Sequence, residues 1–312
     1  MAHTASSQEK SSKFALCINE LRAPFITASV LPMALGVALA YSGQSNTAPV
    51  LTFFTFLCGT LIHLSANTLN DLFDFKAGCD TPQVNKTPFS GGSGMLAGGL
   101  LSYTEVKTIS TILVAASLAT GGAVIALSPG DRSVLLIFGA IGLFLGIAYT
   151  APPFKLVYNG LGEIAIFLAF GPLPVVSAYY ITSGTFSLAS FIASIPAGLM
   201  TTAILWINQF PDYSSDKKAD KNNLVVVMGR EKSRYVYYLL VFLSVLVVLA
   251  AALSGILQKW SLLGLFFLFP ALAASFILHN NFKDTPKMIP AMGLTILSHL
   301  VLTVLMITGV LL

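Results

Sequence analysis

Two short stretches hold the carboxylates that could do chemistry. Residues 67–80 read NTLNDLFDFKAGCD, with Asp71, Asp74 and Asp80, and residues 208–230 read NQFPDYSSDKKADKNNLVVVMGR, with Asp212, Asp216 and Asp220. Asp212, Asp216 and Asp220 recur every fourth position, so on a helix they share a face and repel one another. Asp71 and Asp74 close an apolar run, where the negative end of a helix dipole disfavours an anion by about 0.3–1 kcal/mol. A cation relieves both arrangements. Carboxylate oxygens in such number suit Mg²⁺ or Ca²⁺ better than zinc or copper. Mg²⁺ in turn takes one or two carboxylates and completes its shell with water and substrate phosphate oxygens. Two Mg²⁺ and a diphosphate between facing clusters would leave a net negative charge, for which Lys76, Lys86, Lys155, Lys217, Lys218 and Lys221 are at hand.

Amides accompany the acids. Asn67, Asn70, Asn208 and Gln209 occupy the last turns of the same two apolar runs, where a lipid-facing amide is poorly tolerated, so they are expected to face inward. Other polar residues carry a plainer reading. His63, His279 and His299 stand alone in apolar runs and read as interior histidines, while Glu163 suits a helix N-terminus on dipole grounds. Cys17, Cys58 and Cys79 have no CxxC spacing and suggest neither a disulfide framework nor a zinc site.

The elements that must position these groups are membrane helices. The chain is 55% hydrophobic and 10% charged with 22 Phe, and its mean hydropathy is +0.80. That excludes a soluble domain, and a net charge of +4 is then a matter of topology and no argument for nucleic acid. Long unalternating apolar runs exclude a β-barrel. The expected fold is all-α: nine spans at about 23–42, 49–69, 106–127, 133–150, 161–182, 188–208, 234–254, 259–279 and 289–311, around a central cavity. Residues 1–22 form a polar tail without the apolar centre of a secretory signal, and 23–312 form the membrane domain. Two longer connections, about 71–105 and 209–233, are expected as cytoplasmic caps. With the N-terminus inside, every basic residue except Arg132 and Lys259 falls on the cytoplasmic side, which supports the odd span count and an external C-terminus. The plasma membrane of a prokaryote is the expected location.

The two acidic stretches resemble the aspartate-rich motifs of the UbiA superfamily of intramembrane prenyltransferases, over nearly all the chain from Leu21 onward. Three segments are most similar to the branch that prenylates 1,4-dihydroxy-2-naphthoate in menaquinone synthesis: AGCD at 77–80, YTAPPFKLVYNGLGEIAIFLAFGPL at 149–173 and DKNNLVVVMG at 220–229. The loop NKTPFSGGSGMLAGGLLS departs from the Asp-Arg-Pro pattern of the 4-hydroxybenzoate, haem and chlorophyll branches. The resemblance implies that Asn70, Asp71 and Asp74, helped by Asn67, hold one Mg²⁺, and that Asp212 and Asp216 with Asp220 hold a second. It implies diphosphate contacts from Tyr149, Lys155 and Lys221, with Lys76, Lys86 and Asn208 as further candidates.

The implied reaction moves an isoprenyl chain from its diphosphate to an aromatic acceptor, with the bilayer as surroundings and the number of copies left open. Phe, Leu and Met of the second, fourth and fifth spans are candidates to line the tail cavity. The alternatives are another acceptor, such as 4-hydroxybenzoate, homogentisate, chlorophyllide or a lipid, or a cation-coupled transporter. A transporter would place its acids near the bilayer midplane, whereas these cluster at the ends of spans.

Overall fold

Pro49 opens, and Gly78 closes, the helix that carries the first acidic stretch. Proline at the first turn gives up only an N–H that has no partner there, and Gly78 adopts φ +76°, the left-handed cap that ends a helix. Nothing between them interrupts the backbone ladder, so the helix runs for 29 residues, Pro49–Ala77. In the computed structural model, which describes residues 12–43, 48–78, 87–89 and 92–312, the described residues contain twelve α-helices and no strand.

In chain order the helices are α1 (Lys13–Glu20), α2 (Thr27–Ser42), α3 (Pro49–Ala77), α4 (Tyr103–Leu127), α5 (Arg132–Ala148) and α6 (Gly162–Phe170). They continue as α7 (Pro172–Ser183), α8 (Leu188–Lys218), α9 (Leu224–Met228), α10 (Arg230–Leu253), α11 (Leu268–Asn281) and α12 (Thr285–Leu311). Among the described residues eight helical stretches are long and apolar enough to cross a bilayer, with α1 and α2 (Lys13–Ser42), α6 and α7, and α11 with the 3-10 segment before it (Lys259–Asn281) each counting as one. The fourth expected span is α5, whose 17 residues reach only about 25 Å at 1.5 Å per residue, short of a hydrocarbon core of about 30 Å. The count of clear spans is therefore eight plus this shorter apolar helix, where nine full spans were expected.

The second difference concerns length. The second and sixth spans were expected to stop near residues 69 and 208 and to give way to caps, but α3 continues to Ala77 and α8 to Lys218. Hydropathy falls where the bilayer ends, while backbone hydrogen bonding does not. At 29 and 31 residues the two helices are about 43 and 46 Å long, so their last turns stand clear of the hydrocarbon. The carboxylates ride on those turns.

α8 is the axis of the molecule: 61% of its apolar window is buried, more than in any other span. Leu35, Met200, Trp206, Phe210, Tyr237, Phe267 and Met292 belong to the one large core around it. Buried polar tips find partners. Trp206 Nε1 donates to the Ser233 carbonyl at 2.8 Å, and the Tyr237 hydroxyl lies 2.8 Å from Thr295 Oγ1. The span formed by α6 and α7 breaks at Gly171, where it crosses α8 at Gly198. A Cβ on Gly171 would lie 2.6 Å from the Gly198 Cα, so only small residues let the two backbones approach this closely. The short helix α1 packs Leu16 and Cys17 onto Leu72, Leu96 and Leu101, beside the end of α3.

Candidate functional site

The emergent turns of α3 and α8 bring the two acidic stretches to one place. Asp71 and Asp74 of α3 and Asp216 of α8 are all buried, at 3%, 6% and 7% exposure. Each carboxylate is held by a group from another segment. Asp74 Oδ1 accepts from the Tyr158 hydroxyl at 2.7 Å, and its Oδ2 from Lys221 Nζ at 3.1 Å. Asp216 Oδ2 accepts from Asn223 Nδ2 at 2.8 Å, and Asp71 Oδ2 accepts from the Ser93 backbone N–H at 2.8 Å.

Lys221 joins the two clusters. Burial pushes its ammonium toward the neutral form, but Asp74 and then Asp216 outweigh that and hold it well above the ordinary lysine value of 10.5. Lys155 lies against the same tyrosine ring as Lys221. Its Nζ lies 5.1 Å from the centre of the Tyr158 ring, and Lys221 Nζ lies 5.6 Å from that centre. Lys155 itself takes a left-handed conformation, φ +43°, at the entry to a short 3-10 turn that ends on Gly160. Tyr149, just past the end of α5, is half-buried and packs against the buried pair Val157 and Tyr158.

Several expected residues fall elsewhere. Lys76 is exposed and lays its Nζ 5.0 Å over the Tyr103 ring of α4, away from the Tyr158 side. Asp220 lies past the end of α8 at φ +52°, exposed, so it does not continue the helical face shared by Asp212 and Asp216. Asp80, Lys86 and Cys79 lie outside the described residues. The amides are inside as expected: Asn208 and Gln209 are buried, and Asn67 and Asn70 line a cavity. Asn67 Nδ2 also donates to the Leu21 carbonyl at 3.3 Å, tying α3 to the start of the first span.

Among the described residues no three His, Cys, Asp or Glu side chains gather tightly enough to form a metal centre by themselves. The donor set nevertheless fits Mg²⁺ in its usual protein setting, where one or two carboxylates share the ion with phosphate and water. The buried Oδ1 atoms of Asn70 and Asn208, one at each acidic stretch, have no protein partner and add a neutral oxygen to each side.

Below Asn67, Asn70 and Tyr149 opens a cavity of about 260 Å³ between α2, α3, α4, α5, α6 and α7. Met33, Phe138, Leu145, Phe170 and Leu173 give it an apolar wall: Phe138 and Leu145 come from the fourth expected span and Phe170 and Leu173 from the fifth, as anticipated, while Met33 comes from the first. Ser29 and His63 are polar exceptions deeper in the wall.

No residue spacing marks Tyr158, Asn223 or Ser93 as part of the site. Tyr158 lies within the segment 149–173, but a tyrosine at a span end is commonly an interfacial anchor, and no spacing marks it as the partner of Asp74. Glu163 is at a helix start, as read, and does more there. Its Oε1 accepts from Gln209 Nε2 at 2.9 Å and from the Leu224 N–H at 3.1 Å, locking α6, α8 and α9 together behind the site.

Comparison with known proteins identifies the family and the fold. Residues 29–307 match the model of the UbiA prenyltransferase family. The 1,4-dihydroxy-2-naphthoate octaprenyltransferase of Escherichia coli is 27% identical over 300 residues, covering 94% of each chain. The 2-carboxy-1,4-naphthoquinone phytyltransferase of Synechocystis is 32% identical over 216 residues, 69% of this chain and 66% of that one. In fold, the chain is similar to a UbiA homologue of Archaeoglobus fulgidus bound to DMAPP and Mg²⁺, with TM-score 0.64 at 20% identity over 92% of this chain and 99% of that one. An apo UbiA homologue of Aeropyrum pernix gives TM-score 0.67 at 12% identity over 91% and 98%. An all-helical membrane protein with two acidic helix ends meeting over an apolar cavity, the chain belongs to the UbiA prenyltransferase family.

Proposed function

We propose that the protein transfers an isoprenyl chain from its diphosphate to an aromatic acceptor, 1,4-dihydroxy-2-naphthoate or a similar quinone precursor. The observation that carries this reading is the meeting of both acidic stretches at Lys221, directly above the mouth of an apolar cavity. The naphthoate relatives support the acceptor, and the Archaeoglobus homologue, crystallised with DMAPP and Mg²⁺, supports donor and metal.

Asn70, Asp71 and Asp74, with Asn67 beside them, would hold one Mg²⁺, and Asp212 and Asp216, with Asn208 near, the second. Bound there, the ions supply charge neutralisation of the departing diphosphate. The rest follows from the chain's own groups. Lys221 and Lys155 add fixed positive charge where negative charge grows as the allylic C–O bond breaks, and Tyr149 adds a phenol donor. Tyr158 and Asn223 orient the carboxylates of Asp74 and Asp216. The cavity holds the tail and excludes water, which would otherwise capture the allylic cation before the ring carbon attacks. The ring proton then leaves, to the diphosphate or a motif carboxylate, and aromaticity returns. The acidic ends of α3 and α8 face the cytoplasm in this reading, with α5 completing nine crossings and the C-terminus outside, in a prokaryotic plasma membrane.

Purified protein should release diphosphate and form a prenylated product of the expected mass from 1,4-dihydroxy-2-naphthoate and a prenyl diphosphate, only with Mg²⁺. A panel of other acceptors and donor lengths, read by mass spectrometry, ranks the substrates. Product from 4-hydroxybenzoate alone would move the acceptor to another branch. Cation flux across liposomes with no diphosphate released would end the enzyme reading altogether.

A further inference from the structure

The cavity-facing side of α3 carries a polar group that the reaction as derived does not use. His63, Asn67, Asn70 and Asp74 are spaced by four, three and four residues, which sets them along one helix face. His63 is only 6% exposed. Its Nδ1 lies 2.6 Å from Ser29 Oγ of α2, and Phe170 of α6 meets the ring edge-on with centroids 5.5 Å apart. The imidazole is thus held from two sides. Its Nε2 has no protein partner, and the residue lines the same cavity as Asn67, Asn70 and Tyr149.

A structural tie between α2 and α3 accounts for Nδ1 and leaves Nε2 unexplained. A wall for an isoprenyl tail accounts for neither, since an unsatisfied ring nitrogen in an apolar tunnel is a cost that a leucine would not carry. The depth suits a different occupant. At about 1.5 Å per residue His63 lies about 10 Å below Asn70 along α3, and both line the same cavity. One helical turn, about 5.4 Å, is close to the length of a para-dihydroxylated ring between its oxygens. A phenolic hydroxyl both donates and accepts, so it satisfies Nε2 in either imidazole tautomer.

We infer that His63 is an acceptor-binding residue: its Nε2 hydrogen-bonds the ring hydroxyl that points away from the diphosphate, while Ser29 fixes the imidazole. The inference deepens the proposed function and rests on it. It assigns to a single side chain the selection of a hydroxylated aromatic over an apolar occupant of the cavity.

The test compares wild type, His63→Leu, His63→Gln and Ser29→Ala, with size-exclusion profiles confirming that each folds. Binding of 1,4-dihydroxy-2-naphthoate and of its two mono-methyl ethers is measured by equilibrium dialysis under reducing conditions, without Mg²⁺ or donor. Turnover is measured in parallel. His63→Leu should weaken binding of the free diol at least tenfold and raise the acceptor KM alike, with the donor KM unchanged. His63→Gln should restore most of the affinity, and Ser29→Ala should lose about threefold. Wild type should lose at least tenfold for one of the two methyl ethers, and His63→Leu should be indifferent to that blockage. Equal affinity of wild type and His63→Leu for the diol overturns the assignment, as does a matching rise in the donor KM. If wild type prenylates the acceptor and His63→Leu is unaffected, only this inference falls; if wild type neither binds nor prenylates any acceptor, the functional reading falls with it.

Discussion

Lys221 donates to Asp74 across 3.1 Å, although 147 positions separate them in the chain. The contact joins the segment after α8 to the last turn of α3, so it is the bond through which the two acidic stretches become one site. Asp74 also takes the Tyr158 hydroxyl on its other oxygen, which leaves the carboxylate fixed by two donors from two further segments.

Replacing Lys221 by Met should lower kcat/KM for diphosphate release by roughly 10²–10³-fold, the usual loss when one fixed donor to a developing charge is removed. Steady-state diphosphate release measures it. A loss under threefold would mean that Lys221 serves only to hold Asp74.

Asn223 touches Asp216 at 2.8 Å and orients a carboxylate expected to bind metal. Asn223→Ala should therefore raise the Mg²⁺ concentration for half-maximal activity about 10–100-fold, with acceptor KM unchanged. Chelation with EDTA should abolish activity in both proteins, and added Mg²⁺ should restore it at different midpoints. Identical midpoints would remove Asp216 from the metal site.

Tyr158→Phe keeps the ring that both lysines lie against and deletes the hydroxyl that Asp74 accepts from. A hydrogen bond to a charged group contributes about 1.5–3 kcal/mol, so the variant should show a lower unfolding midpoint and about tenfold lower activity. Differential scanning fluorimetry in detergent reads the first quantity. Unchanged stability and activity would show that Lys221 alone positions the carboxylate.

The charge on Lys221 sets a pH dependence. Its folded value stands above the ordinary 10.5, so its stabilisation is complete below about 10.5 and fades only as pH climbs through the raised value. Between pH 8 and 10 the unfolding midpoint should therefore show no decline from this group. In Asp74→Asn the lysine loses the first of its anionic supports, and stability should begin to fall at lower pH than in wild type. Parallel pH profiles would contradict the pairing.

The crossing of Gly171 and Gly198 makes a prediction away from the chemistry. A Cβ on Gly198 would lie 2.8 Å from the Phe167 carbonyl oxygen, so Gly198→Val must push α6 off α8. Overpacking of this kind costs about 1–3 kcal/mol, and thermal unfolding should record it. Because α6 carries Glu163, which holds Gln209 and Leu224 behind the site, activity should fall as well.

The residue types alone determined the membrane setting and the kind of chemistry. Apolar runs of spanning length can satisfy their backbone in lipid only as helices, and repeated aspartates beside amides and lysines call for a divalent cation and a phosphate. Neither conclusion needs a fold. The lengths of α3 and α8 were not legible, because hydropathy registers the edge of the bilayer while the helical ladder runs on to Gly78 and to Lys218. Packing alone decided which groups meet. Tyr158 and Tyr149 are equivalent as tyrosines near a span end, and only the turn from Lys155 to Gly160 aims the first at Asp74. Likewise His63 differs from the other lone histidines because α2 and α6 converge on it at the wall of the cavity. Such contacts join residues far apart in sequence, and no local pattern of residue types encodes them; they arise when small residues such as Gly171 and Gly198 let the helices close to the distance at which side chains touch.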